Sequence, residues 1–437
     1  MLRANASSLL RSQVAISRAL LHTSTPILAA KPVKAIAQGF KKDEGKKVKK
    51  NSGSFKFYED YVSTGRFHTK AVELNVSPLT SDTASNVVAN YTDVQYKRLV
   101  QSGSFKKDQF NELFSKPITL VRDETVRMAK FIEESSVTPS KDNRVCFIGE
   151  KGIGKSTLLA QTHALIPQES IILPISYATK LVDGTTNFWL DPALGTFTQP
   201  TYLKKFLSKI RYANESSLEK IKLTQDYSIE NPVRARPPTR FSASNNLLQV
   251  LKTRFSARQR GAVFELLINE LTKQDQFAVY VTVDNFGALT SNPFTAYRNT
   301  ENKPVAVEQL QICQKLFEVT SGQRSFAKGG VILSTSSDDT PSVTLNAGLG
   351  LVKPDAYTKS QKYSRELSSR LVGVKPLEVG KFSKDNVGSL VETLIEANVF
   401  RKDELEKNTK ESLIDQKFVL SGNGNPLELL KSVTMFY

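Results

Sequence analysis

Within the stretch "RVCFIGEKGIGKSTLLAQTHALI" (144–166), the residues from Gly149 to Ser156 satisfy the spacing G-x-x-x-x-G-K-[ST] of a phosphate-binding loop. Each residue type has a physical task there. Gly149, Gly152 and Gly154 let the backbone curl so that the loop's N–H groups, those of Lys151 and Ile153 among them, point inward at phosphate oxygens. The helix expected to follow adds its positive N-terminal end. Lys155 would reach the β- and γ-phosphates, the Ser156 hydroxyl would ligate Mg²⁺, and Thr157 is placed to touch the α-phosphate. The chemistry is that of holding a nucleotide and its metal ion.

Such a site also needs an acid at the end of a hydrophobic strand, expected next to the loop's own strand. "VYVTVD" supplies Asp284, which would hold Mg²⁺ through water. The following position bears on hydrolysis. Asn285 stands where ATPases of the AAA+ type commonly carry the glutamate that polarises the attacking water, and an amide orients water without accepting its proton. The residues therefore supply binding more convincingly than catalysis, and no catalytic residue is assigned. Ser334, Thr335 and Ser336 close the run "VILSTSS" and stand with Asn285 as candidate γ-phosphate sensors. "SGNGNPLELL" (421–430) sets Gly424, Asn425 and Pro426 ahead of a helix, as in the lid element that approaches the nucleotide in STAND and AAA+ ATPases. "TKQD" (272–275) matches a guanine signature but precedes the strand of Asp284 instead of following a strand, so it is read as coincidence. Local spacing leaves GTP, GDP and ATP open.

A loop of this kind needs a strand before it and a helix after it, and from residue 144 the pattern alternates between the two. Short apolar runs at "RVCFIG", 170–176, 277–284 and 329–337 read as buried strands, and "VKPLEVG" (374–380) is strand-like. Helical periodicity and stop signals place helices over 155–166, 202–210, a stretch ending near Lys273, and 305–322. A further amphipathic helix is expected over 118–136, entered just after Pro117. These features predict an α/β fold: an AAA+/STAND-like P-loop NTPase core with a parallel sheet flanked by helices, plus a smaller helical lid. The core spans 118–355 with a basic insert at 216–260, the lid spans 356–437, and 55–117 wraps the core as an N-terminal extension.

Charge and cysteine content narrow the function classes. Lys and Arg number 60 against 43 Asp and Glu, a net charge of +17 that calls for a polyanionic partner. Cys146 and Cys313 make no disulfide framework, and three scattered histidines make no metal cluster or triad. No run of about 18 apolar residues exists, so no membrane insertion is expected. Residues 1–42 contain no acid, and Arg3, Arg11 and Arg18 are spaced among Ser, Ala and Leu. That composition predicts a mitochondrial transit peptide over 1–30 and a matrix location. The arm that follows, 31–54, has eight Lys against two acids and too little apolar surface to order itself. Lys46 and Lys47 in this arm, with Arg234, Arg236 and Arg240 in "RARPPTR", are the candidates for RNA or partner contact.

The ordered series "GEKGIGKST", "FTQPTYLKKFL", "VTVDNFGAL", "VAVEQLQICQKL", "LEVGKFSKDNVGSLVE" and "GNGNPLEL" resembles the death-associated protein 3 family of mitochondrial small-subunit ribosomal proteins, in a fungal version. The resemblance covers residues 115–435 or so. It implies an AAA+-related fold, a bound guanine nucleotide (GTP or GDP) with Mg²⁺, and a structural seat in the head of the mitoribosomal small subunit. Partners would be rRNA and neighbouring mitoribosomal proteins, without a homo-oligomer. The basic surplus fits rRNA, where Lys and Arg displace counterions from phosphates. A rival reading is a matrix AAA+/STAND switch that hydrolyses nucleotide to remodel a partner. It needs a water-activating carboxylate, which Asn285 is not, and an arginine such as Arg365 or Arg370. A membrane-associated adaptor using the basic arm on anionic lipids is the weakest of the three.

Overall fold

Five runs rich in aliphatic and β-branched residues pair into one sheet: β1 (Arg144–Ile148), β2 (Ile171–Ile175), β3 (Val279–Val283), β4 (Gly329–Ser334) and β5 (Lys375–Glu378). The structure is a computed structural model that describes residues 72–106, 109–231, 237–335, 342–354, 357 and 362–434. The transit peptide expected over 1–30, the basic arm with Lys46 and Lys47, and Arg234, Arg236 and Ser336 lie outside the described residues. Every pairing in the sheet is parallel. All residues of β2, β3 and β4 are buried, which is why their sequences are continuous apolar runs without alternation. Pro174 and Pro376 are tolerated because β2 and β5 are the two edges, where a missing N–H disrupts no second ladder.

The strand order is β5-β1-β4-β3-β2. Asp284 therefore does not end a strand adjacent to the loop strand, as its sequence context suggests; β4 lies between them. Strand composition reports burial, whereas the order depends on crossovers, and here the chain skips a position that the later strand β4 fills. With the loop at the end of β1, this is the expected α/β fold, a parallel sheet flanked by helices. The strand expected at 374–380 is present and forms an edge of the same sheet.

Helices cover the sheet and tie the N-terminal extension to it: α1 (Asp93–Ser102), α2 (Asp123–Ser135), α3 (Lys155–Leu165), α4 (Pro200–Ala213), α5 (Arg260–Lys273) and α6 (Gln311–Thr320). α1 starts at a capping box made by Thr92 and Gln95. Its buried Arg98 donates to the carbonyls of Ile166 (2.8 Å), Pro167 (3.0 Å) and Ser170 (2.7 Å), just beyond α3. Gln95 donates to Ala164 O at 3.0 Å. Carbonyls at a helix end need such donors, and here the extension provides them.

Two helices begin later than their periodicity suggests. Ile118–Leu120 is a strand paired antiparallel with Val88–Asn90, and α2 starts only at Asp123. The run Ile-Thr-Leu favours extended backbone, and the acids Asp123 and Glu124 mark the true first turn. Likewise Pro304–Ala306 pairs with Phe294–Arg298, so α6 starts at Gln311. The insert at 216–260 is also more than a basic excursion. Its Leu218, Ile221, Phe241, Leu247 and Val250 join the main core. Buried Glu270 of α5 accepts from Thr224 N (2.7 Å), Thr224 Oγ1 (2.7 Å) and Tyr227 OH (2.5 Å), pinning the hairpin Tyr227–Ile229/Thr239–Phe241. Arg240 is exposed on that hairpin.

Toward the C-terminus α7 (Lys384–Glu396), α8 (Lys410–Leu420) and α9 (Pro426–Thr434) share a separate apolar cluster with Leu120 and Phe382. Among the described residues no helix is long and apolar enough to cross a membrane.

Candidate nucleotide-binding site

The loop leaves β1 and enters α3, so strand and helix flank it as the motif requires. Gly149, Gly152 and Gly154 have φ of 141°, 81° and 91°, conformations that L side chains rarely adopt. Lys155 is buried, and its ammonium donates to the carbonyls of Gly149 (2.9 Å) and Glu150 (2.6 Å). The Ser156 hydroxyl donates to Asp284 Oδ1 at 3.1 Å, and the Asn285 N–H reaches the same oxygen at 3.0 Å. Asp284 Oδ2 lies 3.3 Å from the ammonium of Lys106, which also donates to Ser176 O and sits 5.2 Å from the Tyr177 ring centroid.

Beside these residues opens a cavity of ≈ 310 Å³. Gly152 to Thr157, with Asp284, Asn285 and Lys106, make a polar end; Ile118, Leu120, Phe382, Leu390 and Leu430 contribute an apolar wall. First-turn amides of α3 have no acceptor within the helix, so the polar end combines N–H dipoles with two ammonium groups. The arrangement suits polyphosphate at one end and a flat, weakly polar body at the other.

Asn425 does not line the cavity but grips the loop beside it. Its Oδ1 caps α9 by accepting from Leu427 N (3.1 Å) and Glu428 N (3.4 Å), and its Nδ2 donates to Lys151 O at 2.8 Å. Leu427 N donates to Gly152 O at 3.1 Å, and Pro426 reaches the cavity wall. The fit is close: a Cβ on Gly152 would stand 2.6 Å from Asn425 Oδ1. Asn425→Ala should lose about 1–2 kcal/mol in urea denaturation, from the cap and the loop tie together. Asn425→Asp, which keeps the cap but loses the amide donor to Lys151, should recover only part of that.

The candidate sensors divide. Asn285 lines the cavity in a left-handed conformation (φ 59°), and its Nδ2 donates to Thr179. Its buried Oδ1 has no hydrogen-bond partner among the described residues. Thr335 also lines the cavity, yet its N–H and hydroxyl both donate to Phe147 O at 3.0 Å. Ser334 is wholly buried and is not part of the lining. Arg370 is engaged by Glu308 (3.4 Å) and Gln323 (2.6 Å), and neither it nor Arg365 reaches the cavity.

Three residues at the site carry no motif. Lys106 is one. Arg122 is buried and lines the cavity; it donates to Gly380 O at 3.1 Å and lies 5.2 Å from the Phe382 ring centroid. Burial lowers its pKa, with Glu124 opposing. His163, on α3, shares a hydrogen bond with Ser104 Oγ at Nδ1 (2.6 Å) and with Thr282 Oγ1 at Nε2 (2.8 Å). Burial, and then the charges of Arg98 and Lys106, push its pKa down to about 3. An unfolded chain would take up this proton near pH 6.5 while the folded one refuses it, so stability should fall as pH drops from 6.5 towards 3. By pH 5 the loss should be about 2 kcal/mol, at ~1.4 kcal/mol per unit. Urea midpoints at pH 7 and pH 5 check this, and His163→Gln should remove that part of the pH dependence.

A family model described as mitochondrial ribosomal death-associated protein 3 matches residues 119–432, a span that includes the loop, Asp284 and the Asn425 clasp. The chain belongs to that family. The death-associated protein 3 family is one of mitochondrial ribosomal proteins, in keeping with the matrix location expected from the acid-free N-terminus. Small ribosomal subunit protein mS29 of Schizosaccharomyces pombe is 26% identical over 342 residues, covering 75% of this chain and 67% of that protein. Its counterpart of the same name in Neurospora crassa is 25% identical over 337 residues, covering 74% and 68%. Among solved structures, a Walker-type ATPase of Pyrococcus abyssi aligns with a TM-score of 0.37 and 17% identity, over 71% of this chain and 66% of that one.

Proposed function

We propose that this family member is a structural component of the mitochondrial small ribosomal subunit whose loop holds a purine nucleotide, GTP or GDP, as a stabilising ligand. The observation that carries the reading is the clasp of Asn425 and Leu427 on Lys151 and Gly152, which makes the loop a joint between core and C-terminal helices. Loop amides and Lys155 would bind the phosphates, and the wall of Ile118, Leu120 and Phe382 would receive the base. A magnesium ion, if bound, would supply further positive charge to the phosphates, with the Ser156 hydroxyl as its direct ligand and Asp284 holding it through water, once these two side chains release each other. A nucleotide bound only by the native fold adds RT ln(1 + [L]/Kd), about 4 kcal/mol at thousandfold saturation. The names of the two fungal relatives support the small subunit as the assembly, and the charge of +17 supports rRNA as a partner.

Hydrolysis is not part of this reading. Asn285 follows Asp284, and Arg365 and Arg370 do not line the cavity. Sucrose-gradient sedimentation of mitochondrial extracts tests the assignment: the chain should travel with the small subunit at moderate salt. Fractionation with vesicles of anionic lipid, or as a free protein turning over GTP well above about one per minute, would overturn it.

A further inference from the structure

We infer that Lys106 is a tethered cation at the metal position, so that this site binds a nucleoside di- or triphosphate without requiring magnesium. The inference rests on the nucleotide reading above and specifies the form of the ligand. Both oxygens of Asp284 are already engaged: Oδ1 by the Ser156 hydroxyl and the Asn285 N–H, Oδ2 by the Lys106 ammonium at 3.3 Å. The two side chains that would hold a magnesium ion thus bond each other, and the carboxylate charge is met by a group of this chain. Magnesium demands near-octahedral oxygen ligation and gives up its waters reluctantly. To bind here, even through water, it would have to compete with Lys106 for Asp284 and turn the Ser156 hydroxyl around.

Lys106 does not reach the site on a loose strand. Ser102 Oγ and Ser104 Oγ lie 2.7 Å apart, Ser104 bonds His163, and His163 bonds Thr282, two residues before Asp284. The Lys106 N–H donates to Gln109 Oε1 at 3.0 Å, and its ammonium donates to Ser176 O. Lys209 braces the same residue through Ser176 Oγ at 2.7 Å. These bonds, buried from Ser102 to Thr282 and part-buried at Lys106, set the ammonium at the rim of the cavity that Lys155 also lines.

The test is binding of a fluorescent guanosine diphosphate analogue to the full chain, in magnesium and in EDTA. The wild type should change its Kd by less than about threefold between the two buffers. Lys106→Met should bind about tenfold or more weakly in EDTA, with magnesium restoring affinity, while Lys106→Arg should behave like the wild type. If wild type and Lys106→Met depend on magnesium equally, the tethered-cation inference is overturned while the nucleotide reading stands. No binding by the wild type in either buffer overturns both. Should Lys106→Met fail to fold, the wild type alone decides: a magnesium requirement of about tenfold is contrary to the inference.

Discussion

Lys155→Ala should cost the chain its nucleotide and several kcal/mol of stability in one step. Two losses combine. The buried ammonium ties the carbonyls of Gly149 and Glu150, and hydrogen bonds to a charged group are each worth about 1.5–3 kcal/mol. The second loss is the ligand's own linkage free energy, about 4 kcal/mol at thousandfold saturation. They are separable by urea denaturation with and without added GDP. The wild-type midpoint should rise with GDP, whereas that of Lys155→Ala should start lower and stay unmoved. In mitochondria the variant should also be depleted from small-subunit fractions. Normal incorporation of a variant proved unable to bind nucleotide would mean the ligand is dispensable.

Gly424→Ala should be nearly as damaging, although the residue makes no contact with the cavity. Gly424 has φ 92°, and a Cβ there would stand 2.1 Å from Phe382 O and 3.0 Å from Phe382 C. Phe382 N also donates to Gly424 O at 2.7 Å, so the two backbones cannot separate without losing that bond. A left-handed conformation costs an L-residue roughly 1–2 kcal/mol, and forced overpacking adds about 1–3 kcal/mol. The added methyl would push the Asn425 clasp off the loop, so nucleotide affinity should fall along with stability. Gly422 is the control: its φ is 68°, but nothing stands within 4 Å of a Cβ there. Gly422→Ala should lose only the conformational part, about 1–2 kcal/mol, and keep its nucleotide affinity. Equal losses in the two variants would show that backbone conformation alone, and not the packing of the clasp, sets the effect.

What could be read from the residues was what local chemistry dictates. The loop spacing, the apolar runs of β2, β3 and β4, and the acid at the end of β3 are each determined by short segments. The Gly-Asn-Pro turn reads as a lid element that approaches the nucleotide; in the fold it grips the loop backbone through Asn425. The order of the strands was not legible, because interposing β4 between β1 and β3 leaves no trace in any strand's composition. Lys106, Arg122 and His163 escaped for a related reason. Each is a lone polar residue whose significance comes from a contact with a distant segment: Lys106 with Asp284, Arg122 with Gly380 and His163 with Ser104. The insert reads as a basic excursion by composition, yet Leu218, Phe241 and Leu247 bury it in the main core.

The central claim is that the loop holds a nucleotide as part of the folded protein. Its most direct test is mass spectrometry of the small molecules released on denaturing the chain purified natively from mitochondrial small subunits. A guanine nucleotide close to one per chain, with little added by excess magnesium, is the result the proposal predicts. Chain that yields no nucleotide, yet is folded and seated in the subunit, would contradict the claim.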